Sequence, residues 1–297
     1  MKQMLQVFVQ VVERGNFSRA AEHLYMTQPA VSQYVKMLEE DVGATLLERA
    51  NRTVHMTKAG EIVYQHAKQI IGHVETMHEL VHDLFHEPSG ELAIGASYTY
   101  GEYILPHIIS KMREQYPAIH PAITIGNTKE IAERVHTMDL DIGIVEGEVH
   151  HRDLEVETIA EDCMVIVVGC HHPLAHQSSV TTEDLWNTTW IIREEGSGTR
   201  ETTERLFQTL QIHPPQTMEF GSTQLIKESV EAGLGVTLLS QWTIRKELSM
   251  GTLKRVNVPS GEIHRSFSLL LREKPMHTKA TEIFRELLEK VIPPSTY

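Results

Sequence analysis

Asn16–Arg52, NFSRAAEHLYMTQPAVSQYVKMLEEDVGATLLERANR, reads as two short helices joined by a tight turn and followed by a basic wing. Ser18 is placed to cap the first helix, and Ala20, Ala21 and Leu24 give it a narrow apolar face that lets another helix approach closely. Thr27 caps the second. Pro29 sits in its first turn, where a missing N–H costs nothing, Val31, Val35, Leu38 and Val42 mark its buried stripe, and Gly43 stops it. On the opposite face Gln28, Ser32, Gln33 and Lys36 project together near the N-terminal end. An isolated helix with such a face is simply solvated. At the tip of a helix pair with a wing, the same residues suit a major groove: Gln pairs bidentately with adenine, Ser bonds either base edge, and Lys reaches guanine or phosphate.

Outward from this stretch, Leu5, Phe8, Val9 and Val12 recur at helical spacing, which predicts an amphipathic helix over Met4–Arg14 that completes a three-helix core. Leu46–Met56 alternates well enough for a small hairpin turning near Ala50 and Asn51, with Arg49 and Arg52 carried outward.

These residues resemble the winged helix-turn-helix of LysR-type transcriptional regulators. Phe17-Ser18-Arg19-Ala20-Ala21, Leu24, Gln28-Pro29-Ala30-Val31-Ser32, Leu38-Glu39, Gly43, Leu46, Glu48-Arg49 and Thr57-x-x-Gly60 follow that family's pattern, and Leu47 stands where the family usually has Phe. The resemblance implies that Gln28, Pro29, Ser32 and Gln33 face base edges. It makes Ser18, Arg19, Lys36, Arg49 and Arg52 candidates for phosphate or minor-groove contact, with Thr27 beside them at the helix start.

Composition is that of globular material: 297 residues, 41% hydrophobic and 23% charged, enough for two or three domains. A formal net charge of −13 argues against a chain that coats DNA indiscriminately, because phosphate neutralisation needs Lys and Arg. The charge is uneven. Residues 1–60 hold seven Lys or Arg against six Asp or Glu, so the rest of the chain carries the deficit, and a near-neutral reading head on an acidic body suits site-specific binding. Two cysteines, Cys163 and Cys170, give no disulfide framework. Seven apart in CMVIVVGC, they point to opposite faces of a strand and act as core filling. No segment reaches the apolar length of a membrane span and no cleavage site follows the N-terminal stretch, so a cytoplasmic location is expected.

Lys58–Glu87 lacks proline, and Val63, Ala67, Ile70, Val74, Met77, Val81 and Leu84 alternate spacings of 4 and 3. This heptad seam predicts a long helix pairing with a second copy, although a helix packed on its own domain shows the same stripe. Pairing would let two reading heads address half-sites about 34 Å apart. Pro88-Ser89-Gly90 then breaks the helix, and the pattern changes to strands alternating with helices. Strands are expected at Glu91–Ala96, Ala122–Gly126 and Asp141–Val145 with helices at Tyr103–Tyr116 and Glu130–Met138 between them, a βαβ pattern that predicts a parallel sheet covered on both faces. A second unit runs from about Glu161 to Arg265, with strands near Met164–Val168, Trp190–Ile192, Met218–Phe220 and Val236–Leu239. Strand Ser266–Leu271 and helix Thr278–Val291 return to the first.

The expected fold class is therefore α/β: a winged helix-turn-helix at 1–58, a linker and dimerisation helix at 59–88, and a two-lobed effector-binding domain at 89–297. Lobe I takes about 89–161 and 266–297, and lobe II about 162–265. Two such lobes resemble the effector domain of the same family, which is similar to periplasmic solute-binding proteins, so the likeness covers essentially the full length.

Ligands of such sheets bind beyond the carboxyl ends of the strands, where helix N-termini present free N–H groups. Two stretches fit: Gly95-Ala96-Ser97-Tyr98-Thr99-Tyr100-Gly101, and Arg193-Glu194-Glu195-Gly196-Ser197-Gly198-Thr199-Arg200. Glycines let backbone approach, hydroxyls donate and Arg200 can fork onto an oxyanion, which makes an anion cradle across the lobes. Asn127, Thr128, Glu146 and Gln224 could complete its wall. The plainer alternative is that Ser97, Ser197, Thr199 and Ser222 only cap helices. The Arg-Glu-x-Gly-Ser-Gly-Thr-Arg run resembles that of LysR-type subgroups controlling sulfur assimilation and carbon fixation, which implies a small anionic effector.

An enzyme is not expected. The glycine loop lacks the Lys and spacing of a Walker motif, and no Ser-His-acid or paired-carboxylate motif stands out. Of 18 histidines, Cys170-His171-His172 with His176 is the best metal cluster, but it and His150-His151 read as ordinary loop residues, so neither metal nor cofactor is expected. The expected partners are double-stranded promoter DNA, a small-molecule effector and further copies of the chain, as a homodimer through the linker helix and a homotetramer, with no membrane. The alternatives are a metabolite sensor acting through protein contacts and a metal-dependent enzyme.

Overall fold

The fold is known from a computed structural model that describes residues 1–50, 53–149, 151–258, 262–273 and 276–291. The chain forms two compact units, Met1–His86 with Thr137–Asp139, and Glu87–His136 with Leu140–Tyr297.

In the first unit, α1 (Lys2–Arg14), α2 (Phe17–His23) and α3 (Gln28–Val42) are followed by β1 (Leu47–Ala50), β2 (Thr53–Met56) and the long α4 (Lys58–Phe85). Phe8, Val11, Ala20, Val31, Leu38 and Leu46 are buried together at the centre of the helices. The cap of α2 is Asn16 rather than Ser18. Its Oδ1 accepts the Ser18 and Arg19 amides at 2.8 and 3.3 Å, so Ser18 is a capped residue. Thr27 does cap α3, accepting the Ala30 amide, and Gly43 ends it at φ 75°, in the left-handed region. Val42 does not join the buried stripe: it is exposed in the last turn. Glu39 ties α3 to the wing by accepting the Leu46 and Leu47 amides, and β1 pairs antiparallel with β2.

The seam of α4 divides in two. Ala67 is fully buried and Val63 packs beside it on the helical core, as a helix serving its own domain does, whereas Ile70, Met77, Val81 and Leu84 are exposed.

The second unit is one mixed sheet of nine strands with helices around it. Its first half holds β3 (Gly90–Ser97), α5 (Tyr98–Tyr103), α6 (Leu105–Gln115), β4 (Ile119–Gly126), α7 (Thr128–His136) and β5 (Ile142–Glu146). The crossing strand β6 (Leu154–Gly169) leads to α8 (Thr182–Trp186), β7 (Trp190–Arg193), α9 (Gly198–Leu210), β8 (Thr217–Phe220), α10 (Thr223–Glu231) and β9 (Val236–Ser240). The chain closes with α11 (Arg245–Met250), β10 (Leu253–Val256), β11 (Ile263–Arg272) and α12 (Lys279–Val291).

Strand order is β4-β3-β5-β11-β6-β9-β7-β8, with β10 on β6. The sheet is mixed, not wholly parallel: β11 runs antiparallel to both β5 and β6, and β6 antiparallel to β9 and β10. The first half of β6 pairs with β11 in lobe I and its second half with β9 and β10 in lobe II, so these two strands are the crossing connections. Each lobe is cored on both sheet faces. Leu92, Ile94, Leu105, Phe267 and Phe284 fill one side of lobe I and Ile131, Val135, Val145 and Leu270 the other, while Trp190 with Leu238 and Ile191 with Ile226 do the same in lobe II. Strands β3, β5 and β7 thus end, through Ser97, Glu146 and Arg193, near the cleft between the lobes.

Candidate functional site

Two places in the molecule carry polar side chains that the folding of their own element does not need. The first is the N-terminal half of α3. Gln28, Pro29, Gln33 and Lys36 are exposed and Ser32 is half-buried, so one polar face stands in water, with Ser18, Arg19 and Thr27 exposed nearby. Its only fixed bonds are local: Gln28 Nε2 donates to Ser32 Oγ at 2.8 Å, and Lys36 lies 3.5 Å from Glu40. Surface pairs of this kind hold a side chain by a few tenths of a kcal/mol at most, so they yield readily to a better partner. The side chain of Arg49, and Arg52 altogether, lie outside the described residues.

The second place is the cleft between the lobes, and its centre is a residue the sequence did not single out. Arg265, on β11, is completely buried and uses every arm of its guanidinium. Its Nε donates to Asp162 Oδ2 at 2.7 Å, Nη1 to Glu146 Oε2 and Thr199 Oγ1 at 2.8 Å each, and Nη2 to Thr99 Oγ1 at 3.1 Å. Asp162 also accepts Ser240 Oγ at 2.6 Å, and Glu146 accepts the Thr99 amide at 2.8 Å. Two buried carboxylates therefore share one guanidinium, with hydroxyls of both lobes closing the network. Burial by itself pushes the Glu146 carboxyl up, but Arg265 and the Thr99 donors outweigh it and hold it below the usual carboxylate range.

Close backbone approach brings the lobes together here. Thr128 Oγ1 donates to the Glu146 carbonyl at 2.9 Å, and a Cβ on Gly198 would overlap that same carbonyl oxygen, so only glycine lets the start of α9 reach β5. Ser197 caps α9 through the Thr199 amide and Ser222 caps α10 through Leu225, as the plainer reading of those hydroxyls holds. Ser97 and Thr199 are different. Thr199 donates across to Glu146 at 3.4 Å, and the buried Ser97 hydroxyl caps nothing and stands beside the Glu146 carboxylate.

Other expected wall residues settle elsewhere. Tyr100 turns its ring into the lobe I core, edge-on to Phe267 at 5.2 Å, where burial pushes its hydroxyl well above the usual range. Arg200 does not reach for an oxyanion: Glu204 and Glu219 hold it, and it donates to the Arg193 carbonyl at 2.9 Å. Gln224 is exposed and bonded to Glu228 one turn on. Asn127 caps α7 by accepting the Glu130 amide. Tyr98 lies under the buried Arg193 guanidinium, 4.6 Å from the ring centre, while Arg193 forks onto Glu194 at 2.7 and 2.8 Å.

An outer cavity of about 500 Å³ is lined by Thr128, Lys129, Gly196, Ser197, Gly198 and Arg200 with several glutamates. Sequence reading missed Arg265 and Asp162. The available signal was parity: each is a charged residue at an inward position of a strand whose neighbouring inward positions are apolar.

Comparison with known proteins covers both places. Residues 3–61 match the model described as "Bacterial regulatory helix-turn-helix protein, lysR family", and residues 85–293 the one described as "LysR substrate binding domain". The "HTH-type transcriptional regulator CysL" of Bacillus subtilis is 36% identical over 286 residues, 96% of each chain. Among solved structures, full-length CbnR complexed with its target DNA has TM-score 0.69 at 18% identity, over 98% of this chain and 100% of that one. The Synechocystis CcmR regulatory domain in complex with 2-PG has TM-score 0.62 at 25% identity, over 68% of this chain and 97% of that one.

Proposed function

Because the chain belongs to the LysR family of bacterial transcriptional regulators, we propose that α3 reads promoter DNA and that a small anionic metabolite in the lobe cleft controls the outcome. The chain is a sequence-specific DNA-binding regulator with an effector-binding domain. In this reading Gln28, Pro29, Ser32 and Gln33 meet base edges, and Ser18, Arg19, Thr27, Lys36, Arg49 and Arg52 meet the backbone. The observation that carries it is the exposed polar tip of a helix whose other face is locked into a three-helix core.

An anionic effector is supported by the chemistry of the cleft. Its donors, the Thr99 amide, the Thr199 hydroxyl and Arg265, already hold one carboxylate, that of Glu146, with the buried Ser97 hydroxyl beside it. An incoming oxyanion would draw on the same donors and so shift the lobes. If that arrangement spaces the reading heads differently, the ligand alters DNA binding through linkage alone. We further read residues 1–58 as the reading head, 59–88 as the linker and 89–297 as the effector domain. Ile70, Met77, Val81 and Leu84 are read as the exposed half of a seam that a second copy covers, giving a dimer and then a tetramer. The protein is read as non-enzymatic and cytoplasmic. No described helix is long and apolar enough to cross a membrane.

Gel-shift titration of the full chain against its own upstream DNA and a random duplex, at physiological salt, tests the first half. A clear preference for the promoter is expected, and equal affinity would overturn it. A thermal-shift screen over sulfur, nitrogen and phosphorylated metabolites tests the second: a rise confined to anions, lost in Thr199→Val and Ser97→Ala while DNA binding persists, is expected. A response to neutral compounds alone would remove the anion. Sedimentation of Met77→Glu should show loss of the dimer.

A further inference from the structure

At the end of α7 in lobe I, His151 and Asp153, which just precede β6, lie against His136. The ligand-type atoms of all three lie within 4.8 Å of one another, His136 Nδ1 is 3.7 Å from Asp153 Oδ2, and the two rings are 4.5 Å apart at 45°. We propose that these three side chains bind a divalent transition-metal ion of the zinc type.

The donor set is two imidazoles and one carboxylate, which suits Zn²⁺, Co²⁺ or Ni²⁺ and suits Mg²⁺ or Ca²⁺ poorly, since those prefer all-oxygen shells. His136 Nδ1 is buried and has no hydrogen-bond partner, and it faces a carboxylate and another imidazole.

Ligands at zinc-like bond lengths sit about 3.3 Å apart around a tetrahedral ion. Closing from 3.7–4.8 Å needs a movement of about 1 Å, and the exposed Asp153 with its neighbouring segment can supply it. One long bond is given up: the Asp153 amide donates to His151 Nδ1 at 3.3 Å, and a metal on either ring nitrogen removes that acceptor. Three protein ligands leave a fourth position for water, the pattern of an exchangeable site rather than a closed structural one. The cysteine-histidine cluster at 170–176 is a weaker candidate. His172 is already engaged in accepting the Leu174 amide, and among the described residues only His136, His151 and Asp153 converge in this way.

The test is equilibrium dialysis and calorimetry of the untagged full chain, stripped with chelator, against Zn²⁺ alone. One equivalent is expected, with affinity falling roughly tenfold or more in His151→Gln and in Asp153→Asn. Both lie on the surface segment, so folding is checked by the unchanged melting curve of the apo variants. His172→Gln should bind like the wild type. With Co²⁺ in place of Zn²⁺, visible d–d absorption should appear and change in the same two variants. No binding, or undiminished stoichiometry and affinity in the His151→Gln/Asp153→Asn double variant, would overturn the site. So would a loss seen equally in His172→Gln.

Discussion

The polar face of α3 and the polar centre of the cleft are built on opposite principles. On α3, Gln28, Gln33 and Lys36 stand in water, Gln28 and Lys36 bonding only one turn along the helix, so their exchangeable partner must come from outside. In the cleft, Arg265, Glu146, Asp162, Thr99 and Thr199 have left water altogether and satisfy one another. Charges out of water are costly unless paired, whereas exposed donors cost the fold almost nothing. Substitutions on the first surface should therefore register in binding and leave the fold alone, and substitutions in the second should register first in the fold.

The largest effect expected is that of Arg265→Met. It strands two buried carboxylates and should lower the unfolding free energy by about 3–5 kcal/mol, read as a shifted urea midpoint of the effector domain. An unshifted midpoint would erase the distinction between the two regions. Next comes Ser32→Ala or Gln33→Ala, expected to weaken specific DNA binding by about 1–3 kcal/mol while random-duplex affinity and the urea midpoint stay put. Equal losses on every sequence would take these residues off the base edges. Smaller again, Asn16→Ala should destabilise the reading head by about 1 kcal/mol and Ser18→Ala by far less, seen in thermal melts. The reverse order would return the cap to Ser18.

The smallest effect is on the acid side. Because Glu146 is held below its usual range, its contribution is fully present above about pH 4.3 and is lost as pH falls through the lowered value. Below pH 5 the melting temperature of the wild type should accordingly fall more steeply than that of Glu146→Gln. Parallel slopes would mean that Glu146 titrates alike in the folded and unfolded chains.

Much of the reading head was legible because its signals are local. Thr27, Pro29 and Gly43 act within a turn of where they stand, and the stripe Val31, Val35, Leu38 follows helix geometry directly. Even there Ser18 misled, because Asn16 two residues earlier offered a better-placed acceptor. In the second unit, Tyr103–Tyr116 read as one helix, but the helical turns begin at Tyr98. The chain restarts at Leu105, where Pro106 is tolerated only in a first turn. The first half of β6 escaped notice because its LEVETIAED run mixes exposed, half-buried and buried positions and lacks a continuous apolar signature. Arg200 and Gln224 looked like ligand groups by type, and helical neighbours one turn away took them.

By itself the sequence determined the three-helix head, the long helix, the alternation of strands and helices and the two glycine-hydroxyl loops, since each depends on residues within a few positions of one another. Only the tertiary structure decided what fills the cleft. Arg265 meets Asp162 from 103 residues away and Glu146 from 119, and no periodicity or spacing encodes a pairing at that distance. It emerges when an antiparallel return strand sets one buried cation between two buried carboxylates, where the cost of desolvation makes pairing the condition of their burial.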